Sequence, residues 1–73
     1  MTLDAVSIGR PVRVAAVSGA RSFRRRIQEL GLVPGTVVEL LRIAPLGDPI
    51  ELRARGCLLS IRRAEAAAIT VEP

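Results

Sequence analysis

Apolar and polar positions change period along this chain, and the changes mark its elements. Phe23, Ile27 and Leu30 fall at i, i+4 and i+7, so on a helix they share one face while Arg24, Arg25, Gln28 and Glu29 point elsewhere. Ser22 stands before them as a candidate N-cap, Gly31 follows as a C-cap, and Pro34 cannot continue a helix. The pattern predicts a helix from Ser22 to Leu30. At a little over two turns it is too short to stand alone, so its stripe must dock on a sheet.

Before the helix the period is two. Val12, Val14 and Ala16 alternate with Arg13, Ala15 and Val17, predicting a first strand after the Gly9–Pro11 turn, with Leu3 and Ile8 as anchors for the N-terminal lead. After the helix, Thr36 to Ile43 is rich in β-branched and aliphatic residues and reads as a second strand. Two prolines, a glycine and an aspartate between Ala44 and Pro49 give a loop. Ile50, Leu52 and Ala54 then alternate with Glu51, Arg53 and Arg55, the pattern of a half-buried antiparallel strand. Gly56 closes it, and Leu58 to Ile61 makes the other arm of a hairpin with Leu59 and Ile61 on one side. Helix formers between Arg62 and Ala68 predict one helical turn, and Ile69 to Val71 a last short strand. About five short strands with tight connections, a helix between the first two and a helical turn before the last, point to a mainly β fold, a small closed or nearly closed barrel.

Composition narrows what this barrel can be. With 73 residues it is a single domain, residues 1–73, without room for a cleft between lobes. Half of the residues are hydrophobic but Phe23 is the one aromatic, so Val, Leu, Ile and Ala must build the core. No run approaches the ~20 apolar residues that span a bilayer, and the lead lacks the basic and apolar regions of a signal peptide. Cys57 is alone, which fits a reducing compartment, and a cytoplasmic location is expected.

Candidate chemistry is sparse. Nucleophilic catalysis needs an activated Ser, Cys or Lys beside a base, and with neither His nor Lys in the chain an enzyme is not expected. Asp4, Glu29, Asp48, Glu51 and Glu65 are scattered and there is one thiol, so neither a metal site nor a cofactor site is expected. All eleven basic residues are Arg and the formal charge is +4. Arg24-Arg25-Arg26 would sit in the first helical turn, where cations oppose the macrodipole by a few tenths of a kcal/mol each. Either the run faces an anionic partner, or it is a solvated face partly balanced by Glu29. Pro45-Leu46 puts an apolar residue at the tip of a stiff loop, which either lips an interaction groove or folds back on the barrel. Basic charge also admits a nucleic-acid-binding barrel, although surfaces for single strands generally carry stacking aromatics.

Leu30-Gly31-Leu32-Val33-Pro34-Gly35-Thr36, then Ala44-Pro45-Leu46-Gly47-Asp48-Pro49-Ile50, then Leu59-Ser60-Ile61-Arg62-Arg63 with Ala66 and Ile69, resemble the ferrous iron transport protein A (FeoA) family over nearly the whole chain. The resemblance implies an SH3-like barrel and a small cytosolic accessory to the membrane ferrous iron transporter FeoB, modulating Fe(II) uptake. A similar barrel ends iron-dependent repressors, so a regulator-type domain is an alternative. Arg24, Arg25, Gln28, Leu32, Pro45 and Leu46 are the residues expected to meet the partner. Cys57 falls in the hairpin turn, where the resemblance is not expected to require a thiol, and no role is assigned to it.

Overall fold

The computed structural model describes residues 1–73. Five strands, β1 (Pro11–Val17), β2 (Val37–Ile43), β3 (Ile50–Ala54), β4 (Cys57–Ile61) and β5 (Ile69–Glu72), form one antiparallel sheet in the order β4-β3-β2-β1-β5. Helix α1 (Arg21–Glu29) lies between β1 and β2, and the single turn α2 (Arg63–Ala66) precedes β5. A 3₁₀ turn covers Leu3–Ala5. Fifteen buried apolar residues make one core, contributed by every strand, both helices and the N-terminal lead. The mainly β, five-strand architecture is the one the periodicity predicts, although β4 and β5 do not pair and the barrel stays open between them.

The departures are local and have physical causes. Strand β3 keeps strict alternation, with Ile50, Leu52 and Ala54 buried. β1 does not. Its pairing with β5 slips between Val14 and Ala16, a bulge that inserts one residue and inverts the faces beyond it. Ala16 is therefore exposed and Val17 turns inward against the core, the reverse of the simple alternation. A second bulge in β2, between Leu40 and Arg42, sets Arg42 opposite Glu51, where their side chains make an ion pair at 3.5 Å.

The helix also begins and ends differently. Its N-cap is Ala20, which has no side chain to offer the free N–H groups, and Ser22 lies inside the first turn. Gly31, at φ +91°, is the left-handed residue after the C-cap Leu30. Its N–H donates to the Gln28 carbonyl at 2.9 Å and the Leu32 N–H reaches back to the Ile27 carbonyl at 3.2 Å, the paired bonds of a Schellman motif. The motif turns the chain so that Leu32 packs into the core beside Ile27, while Leu30 remains partly exposed. The apolar stripe is thus Phe23, Ile27 and Leu32 rather than Phe23, Ile27 and Leu30. In the N-terminal lead Leu3 is buried as expected, but its companion is Val6, and Ile8 is exposed.

Candidate functional site

The surface at issue is built on α1. Arg24, Arg25 and Gln28 are exposed, and with Arg21 they line one side of the helix. The helix period groups them there and leaves Ile27 facing the core. None of these three arginines forms an ion pair. The two ion pairs in the molecule use Arg26 and Arg42. The partial balance expected between Arg25 and Glu29 is not made. Instead Arg26, on the other flank of the helix, is held by Glu65 of α2. That leaves Arg21, Arg24 and Arg25 as three unneutralised cations within two turns.

Beside them runs a shallow groove of about 270 Å³ lined by Val17, Arg24, Gln28, Leu32, Val33 and Pro34. Leu32 was expected among the contact residues, but only 1% of it is accessible. The Schellman turn draws its side chain into the core, where it floors the groove without presenting a surface. Val33 and Pro34 are the apolar residues that actually open toward solvent there. Sequence periodicity could not find them, because they lie in the irregular segment between α1 and β2.

Loop 44–49 forms a second, separate feature. The Gly47 N–H closes a β-turn on the Ala44 carbonyl at 2.7 Å, with Pro45 and Leu46 at its corners. Pro45 is exposed and Leu46 is 97% exposed, so the tip does not fold back on the barrel. The loop base is fixed by Asp48, whose Oδ1 accepts from the Arg63 N–H at 3.0 Å at the start of α2. Glu65 accepts from the Arg62 N–H at 2.8 Å and also binds Arg26, so one carboxylate joins α1 to α2. Asp48, Glu65, Arg26 and Arg62 border a polar cleft of about 380 Å³ on this flank. The predicted contact residues therefore divide between two patches, with Arg24, Arg25 and Gln28 on one flank of α1 and Pro45 and Leu46 beyond the other. No cleft is lined by residues of both.

Other chemistry is limited. No group of three or more His, Cys, Asp or Glu side chains could hold a metal ion. Cys57 is free and exposed at the start of β4. Phe23, the one aromatic, is partly buried against the core, and no helix is long and apolar enough to cross a membrane.

Comparison with known proteins bears on the family and the fold. The FeoA domain model matches residues 1–73. A Porphyromonas gingivalis Fe(2+) transport protein A/Fe(2+) transporter FeoB fusion protein is 38% identical over 72 residues, covering 99% of this chain. The chain spans about 8% of the length of that relative. The solution structure of a FeoA protein from Chlorobium tepidum superposes with a TM-score of 0.92 at 46% identity, over 99% of this chain and 69% of that one. Stenotrophomonas maltophilia FeoA, described as a procaryotic SH3 domain protein and solved with zinc, superposes with a TM-score of 0.84 at 26% identity, over 99% of this chain and 89% of that one. The five-stranded fold is accordingly SH3-like.

Proposed function

The chain belongs to the FeoA domain family, and on that premise we propose that it is a non-enzymatic cytoplasmic accessory domain that docks on the cytoplasmic part of a FeoB ferrous iron transporter and modulates Fe(II) uptake. The observation that carries this reading is the Porphyromonas gingivalis relative, in which a segment similar to this entire chain is joined to FeoB in one polypeptide. A covalent link holds two modules at high effective concentration, an arrangement suited to partners that act together. Arg24, Arg25 and Gln28 supply the charged contact, and Pro45 with Leu46 an apolar one.

The physical case for the arginine flank is its lack of internal partners. Cations left unpaired on a rigid helix attract and orient an acidic surface, which affects association rate and register more than it affects the fold. Leu46 projects from a turn stiffened by proline, so little ordering cost accompanies its burial by a partner. The test is calorimetric titration of the chain with the cytoplasmic portion of FeoB, together with ferrous iron uptake in cells carrying the same variants. Arg24→Glu with Arg25→Glu should weaken binding by about tenfold or more and alter uptake, a loss of ~1.4 kcal/mol or more. Unchanged affinity and unchanged uptake would remove this flank from the docking surface.

A further inference from the structure

A sheet that does not close has two outer edges, and here they are treated differently. Along β5, Thr2 bridges to Thr70 and the Val71 N–H donates to the Met1 carbonyl at 2.8 Å, so the N-terminal residues occupy that edge. β4, at the other end of the strand order, pairs only with β3. Its register follows from the hairpin. Ala54 and Cys57 flank the two-residue turn Arg55-Gly56 and form its closing hydrogen-bonded pair, so the backbone groups of Leu58 and Ser60 alternate outward. Neither residue takes part in any of the turn, loop or side-chain hydrogen bonds elsewhere in the molecule.

Open edges are usually blunted by a charge, a proline or a bulge. β4 has none of these. Cys57-Leu58-Leu59-Ser60-Ile61 is uncharged, its pairing with β3 is regular, and Leu58 is 72% exposed. The charges stand around it. Arg53 lies opposite Leu58 on β3, Arg55 is in the turn before the strand, and Arg62 and Arg63 follow it. All four are exposed and none is in an ion pair, although Arg55 also reaches the Thr36 hydroxyl at 3.4 Å and Arg53 stands opposite Glu39 of β2. Of the carboxylates nearby, Glu51, opposite Ser60, is held by Arg42, Glu65 is held by Arg26, and Asp48, which borders the cleft beside Ser60, accepts from the Arg63 N–H.

We infer that β4 is a strand-addition site that receives an extended, acidic segment of a partner protein, its backbone bonding to Leu58 and Ser60, an apolar residue covering Leu58, and its carboxylates meeting the flanking arginines. Main-chain bonds supply the attachment and the arginine frame selects the sign of charge. The same frame disfavours a second copy of this chain, since antiparallel pairing of two β4 strands centred on Leu59 would set Arg55 near Arg63 of the other copy. This site does not depend on the arginines of α1 or on the identity of the transporter.

The test uses the full chain, ¹⁵N-labelled, titrated with a synthetic Val-Thr strand bounded by Glu, and with the same peptide bounded by Lys. Amide exchange at Leu58 and Ser60 should slow about tenfold or more with the acidic peptide, because exchange tracks opening of the bonds formed there. The Lys peptide should bind at least about tenfold more weakly at ~50 mM salt, where screening is modest. Ser60→Pro removes an outward N–H, which edge strands tolerate, and should abolish binding. Leu58→Lys leaves the backbone intact, adds a like charge and should weaken it, which keeps the test informative if the proline variant does not fold. No added protection with the acidic peptide, equal binding of both peptides, or protection that grows with chain concentration alone would each overturn the proposal.

Discussion

Replacing Arg55 by asparagine should make the protein more stable, although it deletes a hydrogen bond. Arg55 is the one non-glycine residue at positive φ, at +52°, and Gly56 follows at +75°, the geometry of a type I′ hairpin turn. A β-carbon in the left-handed region costs about 1–2 kcal/mol, and asparagine bears less of this because its short side chain bonds locally. Against that gain stands the bond from Arg55 Nη2 to Thr36 Oγ1, which at 3.4 Å is at the long limit for such a contact and comes from an exposed guanidinium. Its loss should cost no more than ~0.5 kcal/mol. The balance favours Arg55→Asn by about 0.5 kcal/mol, a rise in Tm of roughly 2–4 °C for a domain of this size. Circular dichroism melts of wild type, Arg55→Asn and Arg55→Ala decide the matter. Alanine keeps the backbone strain and loses the bond, so its Tm should fall. If asparagine lowered Tm as far as alanine does, the guanidinium contact would outweigh the backbone and the reasoning would fail.

Thr36 is the one buried polar residue, and its hydroxyl donates to the Gly31 carbonyl at 3.1 Å. Thr36→Val should cost about 1–2 kcal/mol by orphaning that carbonyl, while Thr36→Ser should retain the bond, a contrast readable in urea midpoints. Leu46→Ser should leave the midpoint within ~0.5 kcal/mol because the side chain packs against nothing, yet it should reduce FeoB binding in the calorimetric assay.

Element identity was legible where packing on one face alone decides the pattern. In β3 each of Ile50, Leu52 and Ala54 is buried, as strict alternation requires. In β1 and β2 the bulges are set by how neighbouring strands curl around the core, and no local signal around Ala15 or Leu41 announces them. Gly31 marked the helix stop, but which leucine follows Ile27 into the core depended on the Schellman bonds, and these return Leu32 instead of Leu30. Ser22 has the residue type of an N-cap and lies two positions too late, since Gly19, at φ +109° beneath the Phe23 ring, starts the helix earlier. Of the expected contact residues, the exposed positions followed from amphipathicity and turn composition. That Arg26 rather than Arg25 is neutralised could not be read, because its partner Glu65 is 39 residues away and meets it only through the fold.

The covered edge of β5 has a consequence for assembly. A sheet with one open side has a valence of one: after a strand is added at β4, the complex presents no second edge from this chain for growth to continue. Met1 and Thr2, bonded to Val71 and Thr70, thus act as a terminator on that side. Without the cover of Met1 and Thr2, the β5 edge would be open as well, and a partner strand could add at either end of the sheet.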